Sequence, residues 1–352
     1  GLAGSARAAT KFFVYTFLGS AFLLVGILAL VSIHARDTGS VTFAIASLRH
    51  TVMSSTTAKY LFLAFTAAFV VKAPVFPFHT WSPDAYGEAP TSGAVILAGI
   101  MAKLGTYGII RFDFELFPQA SRSLAWLMLT LAVIGIVYGA VVAAGERNLA
   151  KVVAYSSLSH MGFIVLGLFA FTSEGLSGSV LQMFNHGIYT AALFLLIGMI
   201  YARRKTLDTG ELGGLQAKAP ILAGIFMVIM LASIGLPGLN GFIGEFMILL
   251  GGFLGHRWWA VVGATGVILS AIYLLWAYQK VFHRAAKTDR PFADLKIREI
   301  LTLVPLVVIV VGLGIFPSLF LSRINPSVHQ VLQAHSSATS NSLSLSMPKA
   351  GK

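Results

Sequence analysis

The sequence predicts an all-α polytopic membrane protein with about nine transmembrane helices, two of them broken. Of its 352 residues, 57% are hydrophobic and 11% are charged. Soluble domains carry about 25% charged residues and have no core large enough to hide this much apolar surface. Proline and glycine interrupt two well-separated apolar runs, which is typical of transporters built from inverted repeats with a site at the breaks.

Nine apolar runs, each near or above the ~20 residues that span a bilayer, support this count. They lie at about 11–33, 58–78, 91–111, 124–144, 151–171, 177–201, 220–250, 258–282 and 299–321. Pro74 and Pro77 interrupt the second run, and the segment 235–241, GLPGLNG, interrupts the seventh. We therefore assign residues 1–322 to one membrane domain. Residues 323–352 form a polar, serine-rich tail that we expect to be disordered.

Composition and motifs exclude several classes of site. The net charge of +12 is that of many nucleic-acid-binding proteins, but here the basic residues lie mostly in short loops between apolar runs, where they set topology. The absence of cysteine excludes disulfides, thiolate-held iron–sulfur clusters and Cys-ligated zinc. The sequence contains no H-E-x-x-H motif and no phosphate-binding glycine loop. We therefore expect this chain to hold no metal, cofactor or redox centre.

Two lysines lie deep within apolar runs. Lys72 comes about fourteen residues into its run, roughly 21 Å along a helix, and Lys103 about twelve residues, roughly 18 Å. A cation at the bilayer centre costs roughly 2.5 to 3.5 kcal/mol, so each lysine is a candidate site for proton exchange away from bulk water. The prolines beside Lys72 leave backbone carbonyls unpaired. The alternative is two snorkelling lysines in a structural bundle, although snorkelling favours helix ends.

Two histidines and one glutamate are further candidates. His186 lies roughly 13 Å into its run, and His160 follows the serine-rich segment YSSLS. Histidine titrates near neutral pH and suits a proton relay, but a neutral histidine bonded between helices fits equally well. Glu245 follows the second break, and a buried carboxylate without a partner takes up a proton. In the polar segment 79–88, an entry funnel and a solvated loop remain alternatives.

Three segments carry a family resemblance: residues 71–108, 149–163 and 236–249. They resemble the antiporter-like proton-pumping subunits of respiratory complex I, and the likeness extends from about Ala8 to Phe282. The GEF motif contains a glutamate, Glu245, and in this the sequence resembles the branch known as chain M, the homologue of mitochondrial subunit 4. Other branches and stand-alone cation/proton antiporters typically carry lysine at this position.

The resemblance implies a membrane-arm subunit of an NADH:quinone oxidoreductase, a multi-pass protein of the cell inner (plasma) membrane. It implies proton translocation driven by electron transfer in partner subunits, which hold NADH, FMN, iron–sulfur clusters and quinone, with other antiporter-like subunits as neighbours. Lys72 is implied to be the central lysine of a first half-channel, and Lys103 its connection to a second. His160 and His186 are implied to lie along the hydrated axis, and Glu245 to be its terminal proton site.

One departure from the family pattern leaves alternatives open. The family pairs the lysine matching Lys72 with a glutamate on a helix that would precede residue 1, so we expect the chain to be the C-terminal portion of a longer member. The alternatives are a stand-alone or multi-subunit cation/proton antiporter, a truncated structural remnant, and the membrane arm of a hydrogenase or formate-oxidising complex.

Overall fold

Long helices make up most of the chain. The computed structural model describes the backbone of residues 4–287 and 290–346, and the side chains of the same ranges up to residue 333. Within those ranges there is no strand beyond one isolated bridge. The principal helices are α1 Ser5–Thr38, α2 Ser55–Lys72, α3 Trp81–Glu88, α4 Thr91–Leu116, α5 Ala125–Gly145, α6 Leu149–Leu168, α7 Ser173–Arg204, α8 Pro220–Ile234, α9 Asn240–His283, α10 Ile297–Ile315 and α11 Ser318–Ser346.

The predicted fold class is confirmed. Within the described ranges, seven helices are long and apolar enough to cross a membrane: α1, α4, α5, α6, α7, α9 and α10. The nine apolar runs map onto these helices and the two broken ones. The run at 220–250 is α8 plus the start of α9, and the run at 258–282 is the rest of α9, whose backbone kinks at His256.

The first break separates α2 from α3. Lys72 is the last residue of α2, and the prolines at 74 and 77 prevent regular continuation of the helix. The amide of Val75 reaches back to the carbonyl of Val70 at 2.9 Å, so the Val71 carbonyl accepts instead from the Trp81 indole, also at 2.9 Å. The segment after the break is a short helix, not a polar turn.

The second break separates α8 from α9. Gly235 and Gly238 have φ angles of 84° and 92°, a left-handed conformation that glycine adopts without strain. In a regular helix the carbonyl of Ser233 would accept from the amide four residues later, but that residue is Pro237, which has no N–H. The break therefore leaves the Ser233 carbonyl free to accept from another group.

Helix α6 lies at the centre of the bundle, between α5, α7 and α9. Hydroxyl groups bond it to its neighbours: Ser159 donates to the Ile136 carbonyl at 2.9 Å, and Ser179 of α7 donates to the Ile164 carbonyl at 2.8 Å. Such interhelical hydrogen bonds supplement the packing that holds membrane helices together. They fix the rotation of α6 and so the direction in which His160 points.

The last helix covers part of the predicted tail. Residues 323–346 of that tail belong to α11, and Val328 is buried there. The Phe320 ring lies 4.7 Å from that of Phe184, which anchors the start of α11 to α7. Residues 347–352 of the predicted tail lie outside the described residues, and the division into two domains stays a prediction.

Candidate functional site

The centre of the site is a buried pair of titratable side chains, His160 of α6 and Glu245 of α9. The His160 Nε2 atom lies 3.3 Å from Glu245 Oε1. Both side chains are almost completely buried, at 2% and 5% exposure. A proton can therefore be held between these two groups within the helix bundle, out of contact with bulk water.

Backbone carbonyls hold the His160 ring. Its Nδ1 atom lies 2.7 Å from the Ser156 carbonyl, and its Nε2 atom lies 2.8 Å from the Ser233 carbonyl freed at the second break. Carbonyl oxygens only accept hydrogen bonds, so the ring satisfies both of them only when both nitrogens carry hydrogen. The two carbonyls thus hold the imidazole ring in place beside Glu245. The Ser156 hydroxyl, in turn, accepts from Tyr273 at 2.8 Å.

A second histidine lies beside this pair. The His186 ring is centred 5.6 Å from the His160 ring and 5.3 Å from the Tyr189 ring. His186 is fully buried, and within the described residues neither of its ring nitrogens has a hydrogen-bond partner. Buried polar atoms normally have a partner, so His186 is a candidate for binding a transient proton or water.

Two glycines bring the helix that carries Lys103 close to the helix that carries His186. Gly99 of α4 and Gly187 of α7 face each other so closely that a Cβ on Gly187 would lie 2.8 Å from the Gly99 carbonyl. This contact places α4 directly against the turn that carries His186. Lys103 and both glycines line an apolar cavity of about 500 Å³ between the two helices.

An irregular turn accommodates the Lys103 ammonium group. Residues Leu97–Met101 form a π-helical turn, and the Lys103 side chain folds back to donate to the Ala98 carbonyl. π-Helical turns leave some carbonyls without their usual partner and are frequent at functional sites. Lys103 is buried, so this bond replaces part of the lost hydration of its charge.

Lys72 stands apart from the other candidates. It is half-buried at the end of α2, and within the described residues its ammonium group makes no hydrogen bond or ion pair. The break beside it packs on α4: a Cβ on Gly105 would lie 2.6 Å from the Ala73 Cβ. The structure therefore brings His160, His186 and Glu245 together, with Lys103 on the adjoining helix. It places Lys72 apart from them, at the end of α2.

Sequence reasoning missed several members of the site. Gln182 and Tyr189 lie on α7 at four residues before and three after His186, a spacing that puts all three on one helix face. That spacing was a usable signal. Asp113 is also buried: it accepts from the Thr66 hydroxyl at 2.8 Å, and its Oδ1 atom has no partner among the described residues. Nothing in its local sequence indicated burial.

Metal binding finds no support in the geometry. Within the described ranges, no group of three or more histidine, aspartate, glutamate or cysteine side chains is arranged to hold a metal ion. The site is instead a line of single titratable groups. Among the described residues, His160, Glu245 and Lys103 have carbonyl or amide partners, whereas the ring nitrogens of His186 have none. Such a line suits the movement of protons.

Comparison with known proteins places this chain in a family. The model of the family described as NADH:quinone oxidoreductase/Mrp antiporter, TM, matches residues 3–272. The chain belongs to this family. Subunit M of the NADH-quinone oxidoreductase of Mycobacterium tuberculosis, a family relative, is 42% identical over 339 residues, which are 94% of this chain and 61% of the relative. The chain thus spans about three fifths of the length of that relative. The family predicted from the motifs is confirmed.

Solved structures of the family share the fold. A chain of respiratory complex I from Thermus thermophilus with bound NADH is 34% identical and superposes with a TM-score of 0.87, over 94% of this chain and 70% of that one. A chain of the Mrp complex from Dietzia sp. DQ12-45-1b is 22% identical, with a TM-score of 0.82 over the same shares. At that identity the second likeness shows the fold alone.

Proposed function

We propose that this chain is a membrane-arm subunit of an NADH:quinone oxidoreductase that translocates protons and performs no redox chemistry itself. In this proposal, NADH, FMN, iron–sulfur clusters and quinone are held by partner subunits. The chain lies in the cell inner (plasma) membrane beside other antiporter-like subunits, and electron transfer elsewhere in the complex drives proton movement through it. The relatives named subunit M support the assignment to this complex, and the buried site supports the role in proton translocation.

The observation that carries the proposal is the buried cluster of Glu245, His160 and His186, with Lys103 on the adjoining helix. Titratable groups this close change one another's affinity for protons, because a charge gained on one group alters the field at the next. Low solvent exposure strengthens this coupling. A charge change at one end of the line is therefore passed along it as a proton displacement, without any bound cofactor.

Lys72 provides the first test. Replacing Lys72 with alanine is expected to lower proton pumping by about tenfold or more, since loss of a proton-transfer group typically has at least this effect. The measurement is NADH-driven acidification of inside-out membrane vesicles, normalised to assembled complex. The matched control is Lys59→Ala, which removes the same charge from an exposed position on the same helix. Full pumping in Lys72→Ala would favour the structural-remnant alternative.

Asp84 provides a negative test of the entry-funnel hypothesis. Asp84 accepts from Lys11 at 2.8 Å, and both side chains are partly exposed, at 42% and 33%. Exposed pairs contribute about 0 to 1 kcal/mol, so Asp84→Asn is expected to leave assembly intact and to change pumping less than about twofold. A large loss of pumping with normal assembly would place Asp84 on the proton path instead of in a solvated, structural ion pair.

Two other functions share the fold. A cation/proton antiporter, working alone or in a multi-subunit complex, would exchange ions in vesicles without NADH, whereas the proposed subunit acidifies them only during NADH oxidation. The membrane arm of a hydrogenase or formate-oxidising complex would respond to hydrogen or formate. Glu245 favours the proposal, because the resemblance associates glutamate at this position with chain M and lysine with the antiporters.

A further inference from the structure

Gln182 joins the carboxylate of the site to its aromatic groups. Its Nε2 atom lies 3.2 Å from Glu245 Oε1 and 3.2 Å from the Tyr189 hydroxyl. Gln182 is completely buried. Within the described residues its Oε1 atom has no hydrogen-bond donor. One end of this amide therefore serves two partners, while the other end serves none.

The present contacts suit an ionised Glu245. A side-chain amide nitrogen carries two hydrogens, so Nε2 donates one to the carboxylate and one to the Tyr189 oxygen. A proton on Glu245 Oε1 that points towards Gln182 would face the amide N–H, and two donors that face each other form no hydrogen bond. Either Gln182 must then move, or a buried donor loses its partner, which is unfavourable.

The surroundings of the amide allow a rotation in place. The last torsion of glutamine has broad, roughly two-fold preferences, and the amide oxygen and nitrogen are similar in size. A half-turn exchanges the two atoms without moving the rest of the side chain. The unpaired end faces the backbone of α9 at Gly244. After a half-turn the amide nitrogen would face that backbone, and the amide oxygen would face Glu245 and Tyr189.

We propose that Gln182 is a two-position residue that follows the protonation of Glu245. When Glu245 is ionised, Nε2 donates to it and to Tyr189. When Glu245 Oε1 gains a proton, the amide turns over, and Gln182 Oε1 accepts from both the Glu245 O–H and the Tyr189 O–H. The carboxylate gains one proton, and no bond between heavy atoms forms or breaks.

Rotation of the Gln182 amide changes the hydrogen bond made by Tyr189. Its hydroxyl hydrogen reverses direction when the amide turns over, and its ring is centred 5.6 Å from His160 and 5.3 Å from His186. Gln182 is therefore a positioning residue that reports the state of Glu245 to the histidines. The use of this device in pumping rests on the proposed function, but the rotation itself does not.

The test is infrared difference spectroscopy of the intact assembly that contains this chain, carrying glutamine labelled at the side-chain carbonyl. A pH step is expected to produce an isotope-sensitive amide carbonyl signal together with a carboxyl signal. Both signals should vanish in Glu245→Gln, and the amide signal alone should vanish in Gln182→Met, which keeps the side chain's size without an amide. Tyr189→Phe should retain the carboxyl signal and shift the amide signal.

A wild-type spectrum with no glutamine signal in the pH step would overturn the proposal, as would a signal that survives in Gln182→Met. Neither outcome depends on pumping, so failure of the proposed function is distinguished from failure of the amide rotation. In vesicles, Gln182→Met is expected to lower pumping about tenfold, the effect of losing one hydrogen bond to a charged group. Ser179→Ala, which removes another buried interhelical bond of α7, is the control and should keep the glutamine signal.

Discussion

Replacing Glu245 with glutamine is expected to lower NADH-driven proton pumping by about a hundredfold, since it removes a group that accepts and releases the proton. Glutamine has nearly the shape of glutamate, so the packing against His160 and Gln182 is preserved. The amide cannot carry a transferable proton, however, and it replaces the carboxyl group whose oxygen lies 3.3 Å from His160 Nε2. We therefore expect normal assembly and a specific loss of proton movement.

The measurement compares dye-reported acidification of inside-out vesicles with the rate of NADH oxidation in the same preparation. Glu115→Gln is the matched control, because that carboxylate forms a part-exposed pair with Arg111 one helical turn away. Glu115→Gln should pump normally. Pumping by Glu245→Gln at the level of this control would remove Glu245 from the proton path and leave the buried pair with a structural role only.

Substitution of Gly105 by leucine is expected to have the largest effect on assembly. A Cβ at this position would lie 2.5 Å from the Phe69 carbonyl oxygen and 2.6 Å from the Ala73 Cβ, and the backbone of the first break cannot yield locally. Overpacking of this kind typically costs about 1 to 3 kcal/mol, and more where backbone is in the way. We expect about a tenfold drop in assembled protein, measured by immunoblot of membranes after native electrophoresis.

Gly224→Leu is the control for this experiment, because no atom lies within 4 Å of a Cβ placed on Gly224 of α8. The same leucine is expected to be tolerated there. If Gly105→Leu assembles as well as Gly224→Leu, then α4 does not rest on the first break in the native protein. The arrangement of Lys72 and Lys103 would then have to be revised.

The sequence predicted the helices and their breaks well, because hydropathy and proline act locally. Apolar runs must become helices in a bilayer, and Pro74 or Pro237 removes a backbone donor wherever the chain goes. Lys103, which lies within one of these runs, is buried. The separation of the runs at 220–250 and 258–282 is also confirmed, because the backbone of His256, between them, is not helical and α9 is two helices joined at a kink.

The partners within the site were beyond the reach of a single sequence. Gln182 meets Glu245 across 63 positions of chain, and His160 meets the Ser233 carbonyl across 73. No local pattern records such a contact, which depends on how three helices are rotated against one another. The serine-rich composition of the predicted tail likewise gives no sign that Val328 is buried.

The carbonyls freed at the two breaks are capped by side chains of different chemistry. At the first break, the Val71 carbonyl is capped by the Trp81 indole. The indole neither gains nor loses a proton at physiological pH, so this cap does not change with pH. At the second, Ser233 is capped by the imidazole of His160, a side chain of a type that can gain and lose a proton. The first break is therefore closed by a group of fixed protonation and the second by a titratable one. Under the proposed function, a proton held at His160 would act on the backbone of the second break and leave the first unchanged.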